Sequence, residues 1–169
     1  MDTFECITTK IEIREFKSQD VPSEIRLKVL EAARQTGTGL NTQHWRFILV
    51  ENKDNLRKMA EDSTSGSWVA AANFAVIVLT NPKYNFHLID AGRVLQNMQL
   101  TAWNHGIGSG LFTGISEERL RSDFAIPKEL SPTIIIGFGY PARKITGKRK
   151  NRLPLHELVY YEKYGNSKR

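Results

Sequence analysis

The sequence predicts an α+β fold in which helices flank a sheet of four to five strands, within a single domain covering residues 1–169. Segments with apolar residues at helical spacing alternate with short runs of β-branched and aromatic residues. The run Phe74–Leu79 is apolar throughout, as expected of a strand that is buried on both faces. A chain of 169 residues can also bury about two thirds of its unfolded surface in one core.

The first half of the chain is predicted to contain three helices and one strand. Thr3–Thr9 is predicted to form a short helix, and Val21–Gln35 a longer one with its apolar residues at helical spacing. Trp45–Val50 is short, aromatic and β-branched, which is typical of a strand. An amphipathic helix, Lys53–Asp62, follows it. Small polar residues around a glycine then predict a loop over Ser63–Ser67.

The second half begins with the buried strand Phe74–Leu79 and continues with the longest helix, Phe86–His105. Ser116 is a good N-cap for a short helix over Glu117–Phe124. The stretch Ser131–Ala142 is a β-branched strand closed by a turn. The apolar stripe expected on the longest helix consists of Leu88, Ala91, Leu95, Met98 and Ala102.

The glycine-rich segment Gly106–Gly114 lacks the pattern of a dinucleotide-binding loop. That loop follows a strand and opens a helix, whereas these glycines follow a helix and lead into a short strand. We interpret Gly106 and Gly108 as a helix C-cap and turn.

Composition and charge exclude several classes of protein. With 40% hydrophobic and 25% charged residues, the chain is neither disordered nor fibrous. The single cysteine, Cys6, cannot form an internal disulfide, which favours a reducing, cytoplasmic setting. No secretory signal is visible, and the most apolar run, Val69–Leu79, is too short to span a bilayer. We therefore expect a soluble cytoplasmic protein that does not bind membranes.

The net charge of +6 is concentrated towards the end of the chain. Basic clusters are most often solvated surface; an anionic small ligand is the second interpretation and a polynucleotide the third. No zinc-finger spacing or aromatic-rich ribonucleoprotein strand accompanies the charge, so we expect neither a metal site nor nucleic acid as the main partner. The basic positions include Arg143, Lys144, Lys148, Arg149, Lys150, Arg152, Lys168 and Arg169.

A polar loop, residues 37–44, connects the second helix to the first strand. Its two glycines and Asn41 favour turn conformations, so it can present backbone N–H groups, amides and hydroxyls to a ligand or be an ordinary connection. Residues 37–47 resemble the nitroreductase-family loop Pro-Ser-x-x-Asn-x-Gln-Pro-Trp-x-Phe, with Gly37, Thr38 and His44 at the three departures. In that family the loop lies against flavin mononucleotide (FMN) at a homodimer interface. The resemblance implies FMN contacts from Thr38, Gly39, Asn41 and Gln43.

Two further segments resemble the parts of that family that hold the FMN phosphate and ribityl chain. Residues 10–16 are similar to the opening motif Arg-Arg-Ser-x-Arg-x-Phe, with Ile11 and Glu12 replacing the second Arg and the Ser. Glu12 would repel a phosphate oxygen, although its carboxylate could accept from a ribityl hydroxyl. Residues 148–159 resemble the closing segment Lys-x-Arg-x-Pro-Leu-x-Glu-x-Val. The implied ligands are Lys10, Ile11, Glu12, Arg14, Lys150 and Arg152; solvated surface is the alternative for Lys10 and Arg14.

The resemblance extends over most of the chain. At the position of Thr113 and Gly114, the family backbone donates a hydrogen bond to the reactive N5 edge of the flavin. Asp90–Leu100 is similar to the central helix that packs against its twin, and Ser131–Ala142 to the penultimate strand. We therefore expect a nitroreductase-like mixed sheet and a homodimer that exchanges C-terminal arms beyond Tyr160.

The function implied by the resemblance is an FMN-dependent oxidoreductase. NADH or NADPH would reduce the flavin through N5, and a small electron-poor acceptor, such as a nitroaromatic or a quinone, would then be reduced in a ping-pong sequence. Because the cofactor carries the chemistry, we name no catalytic acid or base. Histidine is the side-chain type that titrates near neutral pH, so His44 could donate a proton, but a lone histidine beside Trp45 is more often structural.

Two alternatives come from other classes of protein. The departures at Ile11 and Glu12 are compatible with a flavin-binding protein that does not turn over. The basic run Lys148–Arg152 is compatible with a nucleic-acid-binding module. The colour of the purified protein, and its bleaching by NADH or NADPH, separate these possibilities.

Overall fold

The computed structural model describes residues 1–145 and 150–167. Each helix and strand predicted from the sequence is present, with its ends moved by no more than a few residues. The helices are α1 Thr3–Thr9, α2 Ser23–Arg34, α3 Lys53–Glu61, α4 His87–Asn104, α5 Glu117–Asp123 and α6 Leu155–Leu158; the strands are β1 Arg46–Val50, β2 Phe74–Thr80, β3 Gly108–Phe112 and β4 Ser131–Gly139.

The four strands form one sheet in the order β1-β2-β4-β3. Each neighbouring pair is antiparallel, and the rings of Phe74 and Phe138 stack across β2 and β4 with centroids 4.7 Å apart. The α+β class and the strand count of four are confirmed. Within the described ranges, parallel pairing is limited to an isolated bridge between Glu12 and Ser109, so the sheet itself is antiparallel and not mixed.

The sheet has a hydrophobic core on each face because successive side chains of β2 point in opposite directions. Phe74, Val76 and Val78 join a cluster with α2 and α4, whereas Ala75 and Ile77 join a second cluster with α3 and α5. All seven residues of β2 are buried, which confirms the prediction of a strand covered on both faces. None of the helices in the described ranges combines the length and hydrophobicity that a membrane span requires.

The buried face of α4 differs from the apolar stripe predicted for it. Ala91, Met98 and Ala102 are buried as expected, but Leu88 is 61% exposed. Two polar residues, Asp90 and Gln99, are buried instead. Buried polar side chains need hydrogen-bond partners, and both find them in the polar segments that the sequence assigns to the cofactor site.

Four glycines of β3 and β4 form a flat surface, here called the glycine platform. Gly108 pairs with Gly139, and Gly110 with Gly137, so the four positions adjoin on one face of the sheet. A Cβ atom at Gly110 would lie 2.6 Å from the carbonyl oxygen of Ile13. At Gly108 a Cβ atom would meet the side chain of Ile13, so this glycine makes room for Ile13 within β3 and is not the predicted turn. Gly106, with φ of 75°, is the predicted helix end.

Candidate cofactor-binding site

Three of the cations predicted to bind a phosphate lie together. Lys150 donates from Nζ to the carbonyl oxygen of Ile7 at 2.5 Å. The pKa of Lys150 is lowered from its ordinary value, first by burial and then by the positive charges of Arg152 and Lys10. Both neighbours therefore repel Lys150, which favours an anion beside it. Lys148, Arg149, Lys168 and Arg169 of the predicted basic cluster lie outside the described residues.

Glu12 is part of the same group of charges. Its carboxylate forms an ion pair with Nζ of Lys10, which also donates to Oε1 of Gln99 at 3.0 Å. Gln99 in turn donates from Nε2 to Oε1 of Glu12 at 3.3 Å. The acidic departure from the family motif therefore has a structural partner on α4 and partly neutralises Lys10. The contribution of Gln99 was not predicted from the sequence.

Arg14 lies on the same segment but points elsewhere. Its guanidinium carbon is 5.7 Å from the centroid of the Trp68 ring, which is a cation–π contact. Residues 11–15 line one side of an open cleft of about 580 Å³, and residues 141–145 line the other. The structure therefore places Ile11, Glu12 and Arg14 along one cleft, with Arg14 held against an aromatic ring.

The loop that carries the remaining polar candidates is strained and firmly anchored. Leu40, Asn41 and Gln43 have φ values of 51°, 52° and 46°, in the left-handed region that costs non-glycine residues free energy. The N–H of Gln43 donates to Oγ1 of Thr38 at 3.0 Å. The N–H of Gly39 donates to Oδ2 of Asp90 at 3.0 Å. These bonds hold the loop in a conformation that it would not adopt alone.

His44 is the main anchor of this loop. Its Nδ1 accepts the N–H of Asn81 at 3.3 Å, which places the ring proton on Nε2. Nε2 then donates to Oδ2 of Asp90 at 3.1 Å. The ring is buried beside Trp45, Tyr84 and Phe86. This environment supports the structural role for His44 that the sequence favoured over proton donation.

Thr113 and Gly114 follow β3 and face the loop after α3. The carbonyl oxygen of Gly114 accepts the N–H of Thr64 at 2.8 Å. A Cβ atom at Gly114 would lie 2.7 Å from Oγ of Ser65 and would also meet the hydroxyl of Thr64, so a larger residue would require both hydroxyls to move. Within the described ranges, the N–H of Gly114 has no hydrogen-bond partner. This donor is available to a ligand.

In a single chain these groups lie at different places along α4. The loop is anchored to Asp90 in the first turn of α4, whereas Lys10 is anchored to Gln99 in its second half. Nine residues of α-helix separate these anchors by about 14 Å along the axis. The cations form one group, Arg14 a second, and the loop a third at the opposite end of α4.

Comparison with known proteins gives a consistent match. The sequence model of the Nitroreductase family matches residues 11–87 and 65–140. A protein of Methanothermobacter thermautotrophicus, provisionally named NADH dehydrogenase/NAD(P)H nitroreductase, is 32% identical over 151 residues, covering 84% of this chain and 78% of its own.

Solved structures match over nearly the whole chain. A nitroreductase family protein from Clostridium difficile 630 has a TM-score of 0.86 at 26% identity, over 96% of this chain and 99% of that one. An FMN-dependent nitroreductase from Clostridium difficile R20291 has a TM-score of 0.88 at 21% identity, over 95% and 99%. The latter likeness bears on the fold alone.

Proposed function

The chain belongs to the nitroreductase family, and we propose that it is an FMN-dependent NAD(P)H oxidoreductase. When bound, FMN would supply hydride transfer through N5, taking the hydride from NADH or NADPH and delivering it to an electron-poor acceptor in a ping-pong sequence. Nitroaromatics and quinones are the acceptor classes that fit this chemistry. The names of the relatives support an NAD(P)H-dependent oxidoreductase in general.

The observation that carries the proposal is the group of cations formed by Lys10, Lys150 and Arg152. A phosphate among them would accept several charge-assisted hydrogen bonds and would offset the burial and the two positive charges that lower the pKa of Lys150. In this assignment, Gln99 holds Lys10 and Glu12 in place. The unpartnered N–H of Gly114 would donate to N5.

The proposed site needs a second copy of the chain. We place α4 against its twin in a homodimer, so that the loop of one protomer approaches the cations of the other. Leu88 and Ile89 at the start of α4 are 61% and 67% exposed in a single chain. The apolar residues of the C-terminal arm are also uncovered, as an exchanged arm requires: Leu153, Leu155, Leu158, Tyr160 and Tyr164.

Sedimentation equilibrium tests this arrangement. We expect a dimer at micromolar concentration, because the loop and the cations approach one ligand only across a two-fold axis. A monomer that binds FMN tightly would contradict it.

The activity itself is tested on the purified protein. We expect a yellow preparation that releases FMN on denaturation, bleaches with NADH or NADPH under anaerobic conditions, and regains its colour when a quinone or nitroaromatic is added. The protein would be a flavin binder without turnover if it were yellow but did not bleach, and the ion pair between Glu12 and Lys10 gives that candidate some support. A colourless protein that cannot be reconstituted with FMN would remove both possibilities.

A further inference from the structure

Asp62 has a buried carboxylate and lies beside the segment that carries Gly114. Asp62 follows the last residue of α3, and its side chain is fully buried. Nε of Arg119, on α5, is 3.1 Å from Oδ1 of Asp62, an ion pair without hydrogen-bond geometry. Within the described ranges, neither carboxylate oxygen of Asp62 accepts a hydrogen bond. This ion pair is separate from the proposed phosphate site. It connects the end of α3 to α5, the helix that follows Gly114 in the chain.

The backbone around Asp62 pairs with the backbone around Gly114. The N–H of Thr64 donates to the carbonyl oxygen of Gly114 at 2.8 Å, and the N–H of Ser116 donates to that of Asp62 at 2.6 Å. An isolated antiparallel bridge joins Ser63 and Ile115 between these two bonds. Residues 62–64 and 114–116 thus form a short two-stranded unit, here called the clamp.

Burial and negative neighbours outweigh the cation beside Asp62. Burial and the negative charge of Asp123 raise the pKa of Asp62, with a smaller contribution from Glu61, while Arg119 opposes the shift. Lys58, also on α3, is 3.9 Å from Asp123. Arg119 is therefore the group that favours the ionised form of Asp62, and protonation of Asp62 would release it.

We propose that Asp62, through its ion pair with Arg119, is a positioning residue that fixes the clamp and thereby aims the N–H of Gly114 at the flavin. This inference rests on the proposed function, since the N–H needs a flavin edge to receive it. Asp62 itself would not touch the flavin, because its side chain is buried beneath the clamp. Acidification would loosen the same contact.

The first experiment uses hydrogen–deuterium exchange on the protein without FMN. Arg119→Gln should speed exchange of the two hydrogen-bonded amides of the clamp, those of Thr64 and Ser116, by about two- to fivefold, the range expected for loss of a partly exposed ion pair. Arg57→Gln is a matched control, because Arg57 is similarly exposed and pairs with Asp54 on the outer surface of α3. Equal exchange in the two variants would overturn the proposal.

The second experiment measures the flavin itself in the FMN-loaded protein. Arg119→Gln should shift the midpoint potential and the visible spectrum of FMN, Arg119→Lys should restore most of the shift, and Arg57→Gln should leave both unchanged. In the unmodified protein the spectrum should also change on acidification, and Asp62→Asn should abolish that change. Faster exchange with an unaltered flavin would overturn the positioning role. Failure of the unmodified protein to bind FMN would remove the proposed function and the positioning role together. The exchange data would still test whether the ion pair stabilises the clamp.

Discussion

His44 and Asp90 form a buried pair, with Nε2 of the ring 3.1 Å from Oδ2 of the carboxylate and both side chains 2% exposed. The same carboxylate accepts the N–H of Gly39, and its other oxygen is 3.3 Å from Nη1 of Arg93. The first turn of α4 thus determines the conformation of a loop that lies about fifty residues earlier in the chain. Asp90 is thus one of the anchors that hold the loop's left-handed residues.

Asp90→Asn should destabilise the fold by about 1.5–3 kcal/mol, because the N–H of Gly39 and Nε2 of His44 lose their charged acceptor. The new side-chain amide can also place its own N–H₂ against one of these donors. Urea unfolding measures this loss. Asp54→Asn serves as the control, since Asp54 is 79% exposed and pairs only with Arg57 among the described residues, and its effect should stay within about 0.5 kcal/mol. Equal effects for the two variants would mean that the buried carboxylate does not anchor the loop.

Gly110→Ala should destabilise the protein by about 1–3 kcal/mol, because the new methyl group would meet the backbone of Ile13 and the ring of Trp68. It should also weaken FMN binding by lifting the segment that carries Glu12 and Arg14. Ser109→Ala, at the adjacent position, removes a buried hydroxyl that has no partner within the described ranges, and should be neutral or slightly stabilising. Thermal unfolding and FMN titration of both variants check this difference.

Arg152→Ala should weaken FMN binding by about 1.5–3 kcal/mol, the contribution of a hydrogen bond to a charged group. Riboflavin lacks the phosphate, so its affinity should hardly change. Fluorescence titration with both flavins gives the comparison, and Arg57→Ala controls for the loss of a surface arginine. If FMN and riboflavin lose affinity equally, Arg152 acts through folding and not through the phosphate.

Glu12→Ser should strengthen FMN binding, because it removes one negative charge and frees Lys10 from its ion pair. The gain should exceed that for riboflavin and should shrink as salt screens the charge. Glu15→Ser is the matched control: Glu15 lies on the same segment but faces Arg143 at 3.2 Å. Loss of affinity for both flavins would instead identify Glu12 as a ribityl ligand. No change for either flavin would mean that the phosphate does not bind near Glu12.

Asp62→Asn should stabilise the fold at neutral pH. The pKa of Asp62 is raised in the folded protein, so its contribution to stability is greatest in acid and is lost as the pH rises through that pKa. Asparagine does not titrate, so the advantage of the variant should shrink as the pH falls through the same range. Urea unfolding across the acidic range measures the difference, and a constant difference would show that Asp62 keeps an ordinary pKa.

The helices and strands were predictable because their apolar residues follow the periods of 3.6 and 2. Three of the four cations that the family resemblance assigns to a phosphate also lie close together: Lys10, Lys150 and Arg152. Arg14 differs because an aromatic ring that is distant in sequence, Trp68, provides a better surface for its guanidinium than solvent does. Such a contact depends on the packed fold and leaves no local pattern.

The buried polar residues of α4 were missed because an apolar stripe counts apolar residues only. Asp90 precedes Val94 and Met98 at intervals of four, so it lies in phase with the buried face. A polar residue in phase with a buried stripe is the signal that could have found it. The glycine platform has a similar signal, since Gly108 and Gly110, like Gly137 and Gly139, alternate along one face of a strand.

The glycine platform also imposes an order on folding. Ile13 donates its N–H to the carbonyl oxygen of Ser109, and Phe16 bridges to Pro141, so these contacts join positions about one hundred residues apart. Long-range contacts form late, because the entropy of closing the intervening loop must be overcome first. On a ribosome, residues 10–16 emerge early but lack their packing partners until β3 and β4 have been synthesised and paired. The segment that carries Lys10 and Glu12 is therefore among the first parts of the nascent chain to appear and among the last to become native.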